Sequence, residues 1–199
     1  MFASLKSMGL RGIDGFMVDV EADLSQGLPG FDVVGLPDAA VRESRDRVRA
    51  AMKNAGFTYP VSRIAVNLAP ADVKKEGSVY DLPLLLALLT ASGQLRAALE
   101  GAAFIGELSL QGLVRPVRGV LPMVIAARDA GMRRVYVPAE NGAEASVVDG
   151  LEVYPVETVA GLLEHLTGVT PIAPLQPADP EPENLLQQAD FADVMGQET

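Results

Sequence analysis

The chain has 199 residues, 49% of them apolar, and a formal net charge of −10. This composition excludes fibrous and wholly disordered proteins, and the length allows one or two buried cores. With no cysteine and a single histidine, His165, the sequence excludes disulfide frameworks, thiolate metal sites and histidine clusters. No stretch approaches the roughly 20 apolar residues of a membrane span, and the first residues lack an apolar export signal. We therefore expect a globular, metal-free, cytoplasmic protein without membrane contact.

The first predicted elements are two strands and a helix. Residues 14–24 alternate apolar and acidic side chains, as a half-exposed strand does, and residues 31–34 indicate a second strand. Because a short turn joins them, the sequence predicts that these strands pair as a hairpin. Asp38 is the predicted N-cap of a helix that ends at Gly56.

This helix carries a stripe of basic side chains beside its apolar face. The stripe consists of Arg42, Arg45, Arg49 and Lys53. A basic stripe on a helix is most often a solvated face. The alternative, which the sequence leaves open, is contact with DNA phosphates or with an acidic partner surface.

Residues 63–89 are the segment on which the functional argument depends. Alternating apolar residues predict a strand over 63–69, a loop rich in helix breakers follows over 70–77, and an apolar run from Leu82 predicts a buried helix. A helix N-terminus offers unpaired N–H groups and a positive potential to a bound or reacting group. Such a strand–loop–helix junction is therefore a candidate functional site.

Charged and polar residues near this junction have predicted structural roles. Lys74 and Lys75 are expected to form a mobile, solvated patch, with contact to DNA or a subunit as the alternative. Ser78 is expected to cap the helix or turn the loop. Asp81 is expected to favour the positive end of the helix dipole, with a ligand or subunit contact as the alternative.

The remainder of the chain alternates strands and helices, which predicts an α/β fold with a mixed sheet. The predicted elements are a strand pair over 102–112, a helix over 120–130, strands over 134–138 and 151–154, and a helix over 156–166. After Gly168 a Pro-rich acidic segment, 169–188, reads as a linker that buries no core. We expect residues 1–168 to form one domain and residues 189–199 to begin another.

The charges are distributed unevenly along the chain. All 16 Lys and Arg residues precede residue 135, whereas residues 135–199 hold 12 acidic residues and no Lys or Arg. Overall acidity makes strong non-specific DNA binding by this chain unexpected, but the first two-thirds do not repel a polyanion. Arg115 and Arg118 are additional candidates for contact with DNA or a subunit.

Five ordered motifs resemble the N-terminal domain of the magnesium-chelatase-like AAA+ family, which includes the ComM and YifB proteins. They are VGLPD from Val34, VRESRDRVRAAMKNAG from Val41, VNLAPADVKKEGSVYDLPLLLALL from Val66, GELSLQG from Gly106 and VPAEN from Val137. The resemblance covers roughly residues 1–168. It implies a fold similar to the Lon protease catalytic domain, an α/β sandwich like domain 2 of ribosomal protein S5.

The same resemblance identifies the positions of the serine and lysine with which Lon cleaves peptides. The serine position is Val79, two residues after Gly77, and the lysine position is Leu121. Neither side chain can act as a nucleophile or a base. The resemblance therefore implies that this domain is not an enzyme, although a shifted pair of Ser78 with Lys74 or Lys75 is an alternative.

For the intact protein, the resemblance implies an ATPase that acts on DNA in natural transformation and recombination, as a hexameric branch-migration motor. Residues 190–199 resemble the start of its ATPase module. No GxxxxGK[ST] motif occurs in the chain, so no cofactor is expected here, and ATP and Mg are expected in the missing AAA+ domain. The expected partners are that domain, sister subunits and DNA. An oligomerisation scaffold without DNA contact is the alternative.

Overall fold

The computed structural model describes residues 1–176. Within them, seven strands form one mixed sheet in the order β3-β4-β2-β1-β5-β8-β9, and β6 pairs with β7. The strands are β1 (Phe2–Arg11), β2 (Asp14–Ser25), β3 (Gly30–Val34), β4 (Arg63–Ala69), β5 (Ala102–Phe104), β6 (Glu107–Leu108), β7 (Val114–Arg115), β8 (Arg134–Pro138) and β9 (Glu152–Val156). The helices are α1 (Ala39–Asn54), α2 (Asp81–Ala91), α3 (Val120–Asp129), α4 (Gly142–Ala145) and α5 (Val159–Leu166), with 3₁₀ turns at Ser78–Tyr80 and Ala139–Asn141. The predicted α/β class with a mixed sheet is confirmed.

The predicted pairing of β2 with β3 is wrong. β2 lies between β1 and β4 and is antiparallel to both, whereas β3 lies parallel to β4 at the end of the sheet. Parallel neighbours need a crossover, and α1 provides it between β3 and β4. The hairpin partner of β2 is instead β1, which our sequence reasoning did not identify.

The predicted strand pair over residues 102–112 is also wrong. β5 joins the main sheet, parallel to both β1 and β8, while β6 forms a separate hairpin with β7. A strand of three residues, all buried, gives no alternation to show which neighbours it has.

Helices cover both faces of the sheet, and two glycines mark their close approach. Gly9 pairs with Phe16 and Gly15 pairs with Leu10, so the two glycines face opposite sides. A Cβ on Gly9 would collide with the Tyr80 hydroxyl, and one on Gly15 would collide with the carbonyl of Pro122 at the start of α3. The turn before α2 therefore packs on one face and α3 on the other.

The helix α2 is the centre of the core. Every residue from Asp81 to Leu89 is buried, which is expected of a helix that is apolar on all sides. This confirms the buried helix predicted from the apolar run. No helix within the described part of the chain has the length and apolarity to cross a bilayer.

An aromatic stack joins the last strands to α5. Phe104, Tyr136 and Tyr154 are in register on β5, β8 and β9, with ring centroids 4.8 and 4.9 Å apart. His165 of α5 packs beside the two tyrosines. The same histidine accepts a hydrogen bond from the Ile172 N–H at its Nδ1 atom, 2.8 Å away.

The first part of the predicted linker lies against the domain. The Leu175 N–H donates to the Val153 carbonyl of β9 at 2.8 Å, and Leu175 is partly buried against the core. Residues 169–176 therefore contact β9 and α5. The remainder of the predicted linker and the predicted domain start, residues 189–199, lie outside the described residues.

Candidate functional site

A cavity of about 670 Å³ lies where the β1–β2 turn, the loop before α2, the β6–β7 hairpin and α3 meet. This volume is within the range of small-molecule sites in proteins. The lining consists of residues 76–79, residues 116–118, Leu10, Gly12, Glu107 and Met123. The cavity thus opens beside the strand–loop–helix junction that the sequence singled out.

Asp38 fixes the loop before α2 to the start of α1. One carboxylate oxygen accepts the Val41 N–H at 2.8 Å, which confirms Asp38 as the N-cap, and the other accepts the Gly77 N–H at 2.9 Å. The backbones of residues 36–38 and Lys75 also exchange two hydrogen bonds, of 3.0 and 3.1 Å. A single carboxylate therefore sets both the helix start and one wall of the cavity.

Lys75 is not part of a solvated patch, contrary to the sequence prediction. It is 0% exposed, and its ammonium donates to the carbonyls of Pro70 and Val73, the latter at 2.7 Å. Burial lowers the pKa of Lys75, while Asp72 acts in the opposite direction. The physical reason for the error is that a loop with its carbonyls turned inward needs a buried donor, which periodicity does not reveal. As a buried donor, Lys75 cannot serve as the predicted surface contact.

Ser78 does not cap the helix. Its hydroxyl donates to the Glu107 carboxylate of β6, and neither the turn at 78–80 nor α2 has a side-chain cap. Glu107 also lies 3.8 Å from the guanidinium of Arg115. Ser78 and Glu107, which both line the cavity, thus join the loop to the β6–β7 hairpin.

Behind the cavity, Arg47 and Asp81 form a buried ion pair. The guanidinium donates to both carboxylate oxygens, at 2.6 and 3.0 Å, and Asp81 also accepts the Leu108 N–H at 3.1 Å. Burial raises the pKa of Asp81 to about 6, although Arg47 and the Leu108 N–H favour the charged form. Asp81 therefore connects α1, α2 and β6.

Our sequence reasoning missed the role of Arg47. The available signal was that Arg47 lies outside the stripe of Arg42, Arg45, Arg49 and Lys53 and next to the buried Val48. A cation at the margin of an apolar helix face needs a partner carboxylate. The sequence provides Asp81 at the start of the most apolar helix, but not the information that the two meet.

The two positions that the resemblance predicts to correspond to the serine and lysine of Lon differ in environment. Val79 lines the cavity and is 7% exposed, whereas Leu121, in the first turn of α3, is 36% exposed. Met123, two residues later on α3, lines the cavity. The cavity wall is therefore apolar at the serine position.

The predicted contact residues lie on several elements of the fold. Arg42, Arg45, Arg49 and Lys53 are all exposed on α1. Lys74 is exposed and pairs with Glu76 at 2.6 Å, Arg118 lines the cavity, and Arg115 lies beside Glu107. Residues 1–176 contain no grouping of three or more acidic or histidine side chains that could hold a metal ion.

Comparisons with known proteins show the family. The model for subunit ChlI of Mg-chelatase matches residues 20–141. An uncharacterised protein of Mycobacterium tuberculosis is 50% identical over 193 residues, which is 96% of this chain and 38% of that protein. The competence protein ComM of Haemophilus influenzae is 42% identical over 167 residues, covering 83% of this chain and 33% of its own length.

YifB of Escherichia coli is 39% identical over 188 residues, covering 94% of this chain and 37% of its own length. A more distant relative, the Lon protease of Mycolicibacterium smegmatis, is 29% identical over 168 residues, covering 78% of this chain and 21% of that protein. The chain thus spans between about a third and two-fifths of the ComM and YifB relatives. It belongs to the magnesium-chelatase-like ChlI family, together with ComM and YifB.

Proposed function

We propose that this chain is a non-catalytic accessory module of a ring-forming AAA+ ATPase, where it helps to assemble the ring or to guide DNA. The observation that carries the proposal is that Val79, which the resemblance aligns with the nucleophile of Lon, lines the cavity. A hydrocarbon side chain cannot attack a peptide carbonyl. The domain then acts through its surfaces rather than through chemistry.

The lysines near Ser78 support the absence of a shifted serine–lysine pair. The Lys75 ammonium is held by two loop carbonyls, and Lys74 pairs with Glu76 on the surface. The Ser78 hydroxyl donates to the Glu107 carboxylate rather than to a lysine amine, so the hydrogen bond that a serine–lysine peptidase needs is not formed. Ser78 is therefore better explained as a link in the cavity wall.

The motor activity belongs to the remainder of the intact protein. This chain has no GxxxxGK[ST] loop, so its residues would not hold the ATP and Mg²⁺ that a AAA+ ring hydrolyses. The relatives are more than twice as long as the matched region, and one of them is named a competence protein. These facts support a cytoplasmic DNA-processing role, with subunits of the same protein and DNA as partners and a hexamer as the assembly.

Peptidase and ATPase assays test this proposal. The chain should cleave no unstructured peptide, and Ser78→Ala should change nothing. The intact protein should hydrolyse ATP, and removing residues 1–168 should impair ring assembly or DNA-stimulated turnover while leaving ATP binding in place. Peptide cleavage that Ser78→Ala abolishes, or an intact protein unaffected by the deletion, would contradict the proposal.

Self-association distinguishes a scaffold from a DNA guide. If the domain is a scaffold, the chain should self-associate in sedimentation experiments without DNA. If it guides DNA, reversal of Arg42, Arg45 and Arg49 should weaken DNA contact in the intact protein. The exposure of all three side chains on α1 makes this substitution structurally tolerable.

A further inference from the structure

Cations and carboxylates are concentrated on different elements of the described domain. The basic end, as we call α1, connects β3 to β4 and carries five Lys or Arg residues against two acidic residues. The acidic end, residues 135–176, runs from β8 through β9 and α5 and carries six acidic residues and no Lys or Arg. The two approach each other at the β6–β7 hairpin, where a Cβ on Gly112 would lie 3.9 Å from the Ala51 carbonyl oxygen of α1 and 4.0 Å from Val159 Cβ of α5.

The carboxylates of the acidic end are exposed and form no ion pair within the described residues. All six side chains are exposed: Glu140, Glu144, Asp149, Glu152, Glu157 and Glu164. Within residues 1–176, no Lys or Arg nitrogen lies within 4.0 Å of any of these carboxylates. Arg134, which precedes them, instead donates to the backbone carbonyls of Ala98 and Glu100. Within the described residues these carboxylates therefore form no ion pair, although Arg133 and Arg134 line the same surface hollow as Glu152.

The basic end is better suited to a protein surface than to a phosphate backbone. Glu43 and Asp46 are exposed among the α1 cations, and Arg45 pairs with Asp46 at 3.2 Å. A bound phosphate backbone would lie beside these two acids, and the net charge of −10 makes strong binding of a polyanion by this chain unexpected. A folded domain presents its carboxylates at fixed, separate positions. Such a surface can place them against the α1 cations and away from Glu43 and Asp46.

We propose that the α1 stripe (Arg42, Arg45, Arg49 and Lys53) docks on the acidic β9–α5 end of a second copy of this chain. This inference rests on the proposed ring-forming function and identifies the surfaces that adjacent subunits use. Two different patches on one chain make a head-to-tail contact, and such contacts close into a ring when the rotation between copies allows it. Because exposed charges dominate the contact, it should weaken as salt rises.

Sedimentation velocity on the 199-residue chain tests the contact. The head variant carries Arg42→Glu and Arg45→Glu, and the tail variant carries Glu157→Lys and Glu164→Lys. A matched control, Arg11→Glu with Arg96→Glu, changes the net charge as the head variant does but at exposed sites outside α1 and outside residues 135–176. The parent and control should self-associate, and each should dissociate between about 50 and about 500 mM salt.

The mixture of the two variants is the decisive measurement. Each variant alone should associate at least about tenfold more weakly than the parent, because the reversed side chains then face like charges on the neighbouring copy. In a one-to-one mixture, the unchanged stripe of the tail variant can bind the unchanged acidic end of the head variant. The reversed stripe of the head variant is likewise complementary in charge to the reversed acidic end of the tail variant. Association should therefore return. Thermal melts of all variants, expected to lie close to the parent, show that each is folded.

Other outcomes overturn the inference. The inference is overturned if the parent chain stays monomeric at its highest soluble concentration. It is also overturned if the tail variant associates as strongly as the parent, or if association does not return in the mixture. A head variant that loses duplex DNA binding but keeps self-association assigns the stripe to DNA. None of these results would contradict the proposed non-catalytic role, because peptide cleavage, and not self-association, tests that role.

Discussion

Arg47 and Asp81 are joined by two hydrogen bonds, of 2.6 and 3.0 Å, across the contact between α1 and α2. The Asp81 side chain is 1% exposed and that of Arg47 is 21% exposed. A charge removed from water needs a partner and further hydrogen bonds, and the Leu108 N–H supplies one to Asp81. The pair therefore fixes how two helices and the β6–β7 hairpin meet behind the cavity.

Removing the carboxylate should destabilise the domain substantially. Asp81→Ala leaves a largely buried guanidinium and the Leu108 N–H without their acceptor, so we expect a loss of about 2–4 kcal/mol in the free energy of unfolding. Urea titration measures it. The exposed pair of Arg45 with Asp46 is the matched control, and Arg45→Ala should cost under about 0.5 kcal/mol. Equal losses in the free energy of unfolding would show that the buried pair stabilises the domain no more than the exposed pair does.

The two acceptor roles of Asp38 predict a larger effect than that of an ordinary helix cap. Asp38→Ala removes the bonds to the Val41 and Gly77 N–H groups, and we expect a loss of about 2–3 kcal/mol. Thr158 caps α5 with one bond, to the Gly161 N–H, so Thr158→Ala should cost about 1 kcal/mol. If Thr158→Ala proves the more costly change, the link between Asp38 and the loop does not contribute to stability.

The two adjacent lysines in the loop, Lys74 and Lys75, should differ in how much the same substitution changes the free energy of unfolding. Lys75→Met leaves the Pro70 and Val73 carbonyls without their donor, which should cost about 1–3 kcal/mol. Lys74→Met removes an exposed pair with Glu76 and should change the unfolding free energy by less than about 0.5 kcal/mol. A loop that tolerates both changes equally would contradict the buried position of Lys75. Chemical denaturation of both variants decides it.

Elements governed by local signals could be predicted from the sequence. Asp38 caps α1 as its residue type and position indicated, and α2 and β8 follow from apolar runs bounded by breakers. Helix caps and periodicity act over a few residues, so one sequence contains the information. The apolar residue at position 79 was equally readable, and the structure places it in the cavity wall.

Relationships between distant residues could not be predicted in the same way. β1 and β5 are neighbours although about 100 residues separate them in the chain, and no local pattern specifies such a pairing. The partners of Asp81 and Lys75 depend equally on how α1 and the loop dock. Lys75 shows the difference most clearly, because Lys74 and Lys75 are chemically identical and only the backbone path determines which one is buried.

The contact between His165 and residues 169–176 should depend on pH. Because Nδ1 of His165 accepts the Ile172 N–H at 2.8 Å, the contact requires the unprotonated nitrogen. Burial lowers the pKa of His165, and the nearby Arg134 adds to this effect. A group whose pKa is lower in the folded state contributes stability above its unfolded pKa, about 6.5, and that contribution is lost as the pH falls.

Acidification from about pH 8 to about pH 5 should therefore speed hydrogen exchange at the Ile172 amide beyond the intrinsic change. Glu152 lies near the tyrosines and Asp81 has a raised pKa of about 6, so global stability contains other titrations and a local amide is the better probe. His165→Gln cannot be protonated, and its corrected exchange rate at Ile172 should not change with pH. Equal pH dependence in the parent and in His165→Gln would assign the effect to another group, whereas a difference between them would identify His165 as the residue that holds this segment on the domain.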